Sequence, residues 1–325
     1  MMIAVLLTGA LVIGGLLAVQ ASANLQLTKA VGTPYGAATL QLWVAAGLLG
    51  ILAVATGTFV ALTRLGDVPP WYLLGGLASP LYITSGILLF PRIGALAAGG
   101  LFVTGQMLAS IALDGFGLFG IARQTFGAGT LVGSVAVLAG ITAIVRGQRV
   151  KVPAAVGLGR PADASASPPL SPAGVTPGRL LLGLLAGAVL PIQGAINARL
   201  RTVVVEPVVV ALVSFLVAAL AITIVFAVLR TTDRTPTPQL DRLGGMPWWG
   251  WLGGLCAVGY VTGTFMLLPQ IGAAVTVALT VTGQQLASAL IDTRGLFRMP
   301  QRPFTAARGV GLLLLVAGSV LIQLF

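Results

Sequence analysis

Ten long apolar runs divide the chain, and short polar segments separate them. A run of about 20 apolar residues is long enough to cross a bilayer as a helix. The pattern predicts helices near residues 3–23, 37–63, 71–90, 93–113, 126–146, 179–198, 204–229, 248–268, 271–291 and 307–324. Residues 148–178, rich in Pro, Ala and Ser, predict a flexible linker. We therefore expect a first half over 1–147, this linker, and a second half over 179–325.

The two halves repeat one another. Leu101–Phe119 recurs 178 positions later as Leu279–Phe297, with 12 of 19 residues identical, and the polar residues of the first helix recur at an offset of 173. A duplicated bundle of apolar segments is typical of transporters. Because five helices is an odd number, tandem halves would cross the membrane in opposite directions. The predicted fold is an all-α polytopic membrane protein with ten transmembrane helices in two inverted-topology repeats.

Basic residues predict the orientation of this bundle. With the N-terminus outside, 14 of the 18 Lys and Arg residues fall on the cytoplasmic side. The four on the outside are Arg64, Arg123, Arg199 and Arg201. Because Lys and Arg concentrate in cytoplasmic loops, we expect a multi-pass protein of the bacterial inner (plasma) membrane with both termini outside.

Composition narrows the class of protein further. Hydrophobic residues make up 57% of the chain and charged residues 8%, against about 25% charged in soluble domains. There is no histidine and one cysteine, Cys256, so we expect neither enzymatic activity nor a metal or cofactor. The net charge of +11 is spread between the apolar runs, which argues against nucleic-acid binding.

Polar side chains at membrane depth are the candidates for solute binding, since each is costly in hydrocarbon. They lie at matched positions on the first and fourth helix of each half and are spaced four residues apart, so each set shares a helix face. The candidate substrate-binding residues are Gln20, Asn24, Gln106, Ser110, Gln193, Asn197, Gln284 and Ser288. The alternative is that these side chains only hold helices together.

Four further residues carry open alternatives. Asp114 and Asp292 follow the polar stripe at helix ends, where they would be solvated at the interface or couple transport to protons. Tyr82 and Tyr260 lie in mid-segment, where they would either touch a solute or pack. In the sixth helix, the G-x-x-x-G spacing of residues 183–187 predicts close helix packing.

These motifs resemble those of a known family. L-x-G-x-x-x-P-x-Q-x-x-x-N-x-x-L, P-W-W-x-W-L-G-G, P-x-I-G-A-A and T-G-Q-x-L-A-S-x-x-I-D-x-x-G-L-F, as they stand in the second half, resemble the YdcZ-like branch of the drug/metabolite transporter (DMT) superfamily. The first half matches less closely. The resemblance implies an EamA-like permease with two five-helix repeats around a central cavity. The first helices lack the membrane-embedded glutamate of the small multidrug-resistance relatives, which disfavours proton-coupled export of cations.

The sequence thus predicts a secondary carrier or exporter that moves a small polar, neutral or amphipathic metabolite by alternating access. The expected partners are that solute and the lipid bilayer. The competing hypothesis is a membrane assembly or scaffold protein that transports nothing. The sequence leaves open the substrate, the direction of transport, the coupling ion and the oligomeric state. It also leaves open whether the protein is a channel or a carrier.

Overall fold

A computed structural model describes residues 2–120, 123, 127–147, 176–271 and 273–324. These residues are almost entirely helical and contain no strand, so the all-α prediction is confirmed for them. Most of the predicted linker lies outside the described residues. The α-helices are α1 Met2–Val31, α2 Pro34–Ala55, α3 Ala78–Ile93, α4 Ala95–Phe116, α5 Ala128–Gly147, α6 Pro177–Val204, α7 Pro207–Thr231, α8 Leu252–Ile271, α9 Ala273–Arg294 and α10 Ala306–Leu324.

Seven stretches within the described part of the chain are long and apolar enough to cross a membrane. They are α1, α2, α4, α5, α6, α7 and the stretch Pro70–Ile93, in which the 3₁₀ helix Pro70–Leu77 leads into α3. A shorter apolar helix covers Ala306–Ile322. The chain is therefore a multi-pass membrane protein.

Several helix ends differ from the hydropathy pattern. α1 continues to Val31, eight residues beyond the predicted end, because its polar residues find partners there. Gln26 Nε2, in this extension, donates to the Phe297 carbonyl at 2.9 Å. α2 ends early, at Ala55, and Gly57 with φ +70° turns the chain into a 3₁₀ helix over Thr58–Asp67. A left-handed glycine after the last turn is a common way to end a helix.

The first helix of each half packs in parallel against the fourth helix of the other half. Glycines make both contacts. A Cβ on Gly187 of α6 would collide with the backbone of Phe102 in α4, and one on Gly14 of α1 with the backbone of Thr280 in α9. Gly187 belongs to the predicted G-x-x-x-G pair, and its partner Gly183 packs against Leu101. Small residues permit this approach of helix backbones in membrane proteins.

The second and fifth helices pair with their own counterparts, and these pairs are antiparallel. In the α5–α10 pair, Gly133 lies against Gly318 and Gly140 against Gly311. In the α2–α7 pair, Trp43 Nε1 donates to Thr223 Oγ1 at 3.0 Å. Every major helix contact therefore joins the two halves, which are interleaved in one bundle.

The repeated Gly-Leu-Phe sequence forms a matching turn after α4 and after α9. In both turns the phenylalanine is left-handed, with φ 52° at Phe119 and 56° at Phe297. The carbonyls of these two phenylalanines accept hydrogen bonds from the first helix of the other half. Gln26 Nε2 donates to the Phe297 carbonyl at 2.9 Å, and Arg199 Nε donates to the Phe119 carbonyl at 2.8 Å. Since these contacts recur at equivalent positions, the duplicated motif ties the halves together at both ends of the bundle.

Candidate functional site

A cavity of about 280 Å³ lies where the first and third helices of both halves meet. Counterpart residues of the two halves face each other across it, as the pairs Leu17 and Leu190, Gln20 and Gln193, and Tyr82 and Tyr260 show. Its remaining lining residues are Ser79, Ile83, Gly194, Asn197, Ala198, Arg201, Phe215, Ala257, Val261 and Thr264. The cavity is thus largely apolar with a few amide, hydroxyl and guanidinium groups, as is typical of small-molecule sites.

The two glutamines of the cavity differ in what they bind. Gln193 Nε2 donates to Ser79 Oγ at 2.9 Å and to Ser214 Oγ at 3.2 Å. Gln20 forms no hydrogen bond to any described residue, although only 4% of its surface is exposed. Gln20 therefore lines the cavity with a side-chain amide that has no partner among the described residues.

The two asparagines of the first helices serve helix packing as well. Asn197 Nδ2 donates to Ser214 Oγ at 3.1 Å, and at the equivalent site Asn24 Nδ2 donates to Gln41 Oε1 at 3.2 Å. The Oδ1 atom of each asparagine is buried without a hydrogen bond and lies against a glycine of the other half's third segment. Only Asn197 lines the main cavity.

The cavity is not symmetric with respect to the two halves. Along α6 it extends from Leu190 to Arg201, close to the C-terminal end of the helix, whereas along α1 it involves only Leu17 and Gln20. On the side of the bundle where α1 ends, a separate space of about 10 Å³ lies beside Asn24. Such a space holds about one water molecule. The bundle is therefore closed on the side where α1 ends and hollow on the side where α6 ends.

The polar stripes of α4 and α9 lie outside the lining of this cavity among the described residues. Gln106, Ser110, Gln284 and Ser288 are thus separated from Gln20, Gln193 and Asn197. Gln284 comes nearest, since its Nε2 donates to Tyr82 Oη at 3.2 Å and so supports a cavity side chain. Gln106 Nε2 and Ser288 Oγ are buried without a hydrogen bond.

Where α9 crosses α4, glycine again makes room for polar side chains. A Cβ on Gly99 would lie 3.1 Å from Gln285 Nε2 and 3.2 Å from Ser288 Oγ. Ser288 therefore faces the neighbouring helix and not a solute space. The four-residue spacing predicted that these side chains share a face, but the sequence does not say which helix that face meets.

Asp292 lies in a buried ion pair and not in the solvated interface. Its Oδ2 is 2.6 Å from the Arg308 guanidinium, and the exposed fractions of the two side chains are 0% and 2%. The backbone N–H groups of Ala95 and Leu96, at the start of α4, donate to the same carboxylate at 2.7 and 3.2 Å. A carboxylate at a helix N-terminus satisfies donors that the helix leaves open.

Arg302 completes this group, which we call the Asp292 clamp: Asp292, Arg302, Arg308 and the start of α4. The Arg302 guanidinium donates to the carbonyls of Pro91 and Arg92, each at 3.2 Å. Burial lowers the pKa of Arg302 from its ordinary value, and the neighbouring Asp292 opposes this shift. The clamp fastens the segment between α9 and α10 to the junction of α3 and α4.

The first half lacks the arginines of the clamp. At the offset of 178, Gln124 and Thr130 stand where the second half has Arg302 and Arg308. Asp114, the counterpart of Asp292, is half-buried at the end of α4. The bundle is therefore asymmetric at its two ends, with the clamp on the closed side.

Sequence reasoning missed Ser79, Ser214 and Arg201, and it left Tyr82 and Tyr260 undecided. Ser79 and Ser214 belong to segments whose pattern is apolar, and the sequence predicts only an orienting role for Arg201. The recurrence of both tyrosines at an offset of 178 was the available signal. Among the described residues, no cluster of His, Cys, Asp and Glu side chains could hold a metal ion.

Comparison with known proteins agrees with this architecture. The family described as "Putative inner membrane exporter, YdcZ" matches residues 5–143 and again residues 179–321. One solved crystal structure is similar over 97% of this chain and 96% of its own, with 18% identity and a TM-score of 0.53, which supports the fold alone. No curated protein matches the chain. Because the family covers most of the chain in two copies, this protein belongs to the YdcZ-like family of the DMT superfamily, whose members are described as inner-membrane exporters and not as enzymes.

Proposed function

We propose that this protein is a secondary carrier that exports a small polar or amphipathic metabolite by alternating access. The observation that supports the proposal most is the cavity between the first and third helices of both halves, in which Gln20 presents an unpaired amide. A cavity at the interface of two repeats is where such carriers bind their substrates. Its volume of about 280 Å³ suits a small metabolite.

The proposed architecture is ten membrane helices in two inverted repeats. Parallel packing of α1 on α9 and of α6 on α4, with antiparallel pairing of α5 and α10, is the pattern that two oppositely directed halves would produce. The charge distribution of the sequence supports placing both termini outside and the linker in the cytoplasm. In that orientation the cavity opens outward, and the Asp292 clamp lies at the cytoplasmic side.

The transport cycle follows from the asymmetry of the bundle. If the two halves exchange conformations, the space now found along α6 up to Arg201 closes, and the equivalent space along α1 beside Asn24 opens. The Asp292 clamp would have to loosen in that step. We assign Asp292 to this structural role, and proton coupling through Asp114 stays a prediction.

The other predicted site residues take different parts in this proposal. Gln20, Gln193 and Asn197 would contact the solute in the outward-facing state, and Asn24 would do so in the inward-facing state. Gln284 would act through the hydroxyl of Tyr82. Ser288, which lies against Gly99 of α4, would support the α4–α9 contact, and we expect its alanine variant to bind solute nearly as well as the parent protein. A role of Gln106 and Ser110 in solute binding stays a prediction.

A ligand-stabilisation screen tests the proposal. Purified protein is heated with a broad panel of small metabolites, because a solute that binds only the native state must raise the unfolding temperature. We expect at least one solute to do so, and Gln20→Ala to weaken its binding by about 2- to 10-fold through the loss of one hydrogen bond.

Gln301→Ala is the matched control for this screen. Among the described residues its side-chain amide donates to the Thr293 carbonyl alone, and Gln301 does not line the cavity, so we expect this variant to bind solute as the parent protein does. If no solute in the panel stabilises the protein, the competing scaffold hypothesis is favoured. If Gln20→Ala and Gln301→Ala bind a stabilising solute equally well, the cavity is not its site.

A further inference from the structure

Tyr82 and Gln20 form the floor of the cavity. Both side chains line the main cavity and also the separate small space beside Asn24, so they lie where these two spaces adjoin. Leu17 and Ile83 border both spaces as well and add apolar surface. A solute that enters the cavity therefore meets two polar side chains, set among apolar ones, at the inner end.

Gln284 fixes the direction of the Tyr82 hydroxyl. Its Nε2 donates to Tyr82 Oη at 3.2 Å, so the tyrosine oxygen is the acceptor in that hydrogen bond. No described residue accepts a hydrogen bond from the Tyr82 O–H. The ring itself is held in place, since it is 7% exposed and its centroid lies 4.9 Å from that of Phe102. Because a phenol both accepts and donates, Tyr82 is left as a hydrogen-bond donor at the floor of the cavity.

The other half does not repeat this arrangement. At the offset of 178, Tyr260 is the counterpart of Tyr82 and Gln106 is the counterpart of Gln284. Gln106 Nε2 is buried without a hydrogen bond, so it does not orient the hydroxyl of Tyr260. Of the two tyrosines in the cavity, Tyr82 is therefore the one that a glutamine of the other half orients as a donor.

A donor at the floor of a largely apolar cavity selects for an acceptor oxygen on the solute. Resting on the proposed function, we infer that the solute is a small neutral carbonyl compound, of the amide or lactam class, whose carbonyl oxygen accepts a hydrogen bond from Tyr82. The side-chain amide of Gln20 has donors and an acceptor to offer to the same group. Leu17 and Phe215 contact the apolar part of the solute. Tyr82 is thus a specificity-determining residue, and Gln284 is a positioning residue.

Two matched probes test the carbonyl contact: caprolactam and thiocaprolactam, which share one ring and differ in a single oxygen or sulfur atom. Their binding to the purified full-length protein is measured by calorimetry and by thermal shift. Sulfur is a weak hydrogen-bond acceptor. We therefore expect caprolactam to bind about 2- to 10-fold more tightly than thiocaprolactam, the range that one neutral hydrogen bond gives.

Three variants attribute this preference to the oriented hydroxyl. Tyr82→Phe keeps the ring and should reduce the ratio between the two lactams to about one. Gln284→Met should also lower the ratio, because the hydroxyl loses its fixed direction, and the double variant should match Tyr82→Phe alone. Tyr35→Phe removes the same hydroxyl at the start of α2, outside the lining of the cavity, and should leave the ratio unchanged.

The outcomes separate this inference from the proposed function. Equal binding of the two lactams, binding of neither, or an unchanged ratio in Tyr82→Phe would each overturn the carbonyl solute, and any stabilising member of the metabolite panel would still leave a solute site in place. An unchanged ratio in Gln284→Met would overturn the positioning role, and this variant carries the test if Tyr82→Phe does not fold. If no lactam and no member of the panel binds, the proposed function fails as well.

Discussion

Gly75 and Gly253 each leave room for an asparagine from the other half. A Cβ on Gly75 would collide with Asn197 Oδ1, and a Cβ on Gly253 would collide with Asn24 Oδ1. These oxygens have no hydrogen-bond partner among the described residues, so a close approach of the glycine Cα–H group is the contact that remains for them. The asparagines that pack here thus explain the first glycine of the repeated Gly-Gly sequence.

Replacing either glycine by alanine should therefore displace an asparagine. We expect Gly75→Ala and Gly253→Ala each to destabilise the purified protein by about 1–3 kcal/mol, the usual cost of an overpacked site. Thermal unfolding in detergent measures the effect. Gly47→Ala is the control, since a Cβ at that position of α2 meets nothing within 4 Å. Equal stability of all three variants would contradict the proposed packing of the asparagines.

The sequence predicted these asparagines as solute ligands, and at the residue scale the spacing alone could not decide between that role and packing. A four-residue interval places Gln20 and Asn24 on one face of α1. The two residues lie at different depths in the bundle. Gln20 therefore lines the main cavity, whereas Asn24 donates a hydrogen bond to Gln41. That depth depends on tertiary packing, which no local pattern records.

At the scale of elements, the Asp292 clamp is the main asymmetry between the halves. Arg308 neutralises a carboxylate that is completely buried, and a buried charge without its partner costs several kcal/mol. We expect Arg308→Ala to destabilise the protein by about 3–5 kcal/mol, and Arg294→Ala, at an exposed position at the end of α9, to change the stability by less than about 1 kcal/mol.

The double variant Asp292→Asn with Arg308→Leu separates the charge from the packing. Because it removes both ions while leaving an amide oxygen to accept from the N–H of Ala95, it should recover most of the stability lost in Arg308→Ala. Unfolding temperatures of the three proteins measure this. A double variant less stable than Arg308→Ala would show that the ion pair is not what Arg308 contributes.

The helices themselves were predicted well because apolar length and turn residues are local signals. The ends of α1 and α2 were predicted less well. The last turns of α1 form polar contacts with distant residues, such as the hydrogen bond from Gln26 to Phe297, and hydropathy does not record them. The partners of each helix were also out of reach. The repeat predicts two five-helix halves, but it does not say that α1 packs on α9 and α6 on α4.

At the scale of the whole molecule, the two interleaved halves enclose a cavity that extends along α6. The equivalent region along α1 is closely packed. Family membership supports a membrane exporter, and the asymmetric cavity supports alternating access as its mechanism. A carrier of this kind exposes its site to one side of the membrane at a time, a channel exposes it to both, and a scaffold has no need to expose it.

Cysteine accessibility distinguishes these three cases directly. In a Cys256→Ser background, Ala198→Cys places a thiol in the cavity, and Leu25→Cys places one at the equivalent position of the closed side, at the offset of 173. A membrane-impermeant thiol reagent is applied to intact cells and to inside-out vesicles. We predict that Ala198→Cys reacts in intact cells and Leu25→Cys does not, while vesicles label Leu25→Cys only when a transported solute is present. Reaction of both cysteines from the same side, or of neither from any side, would contradict an alternating-access carrier.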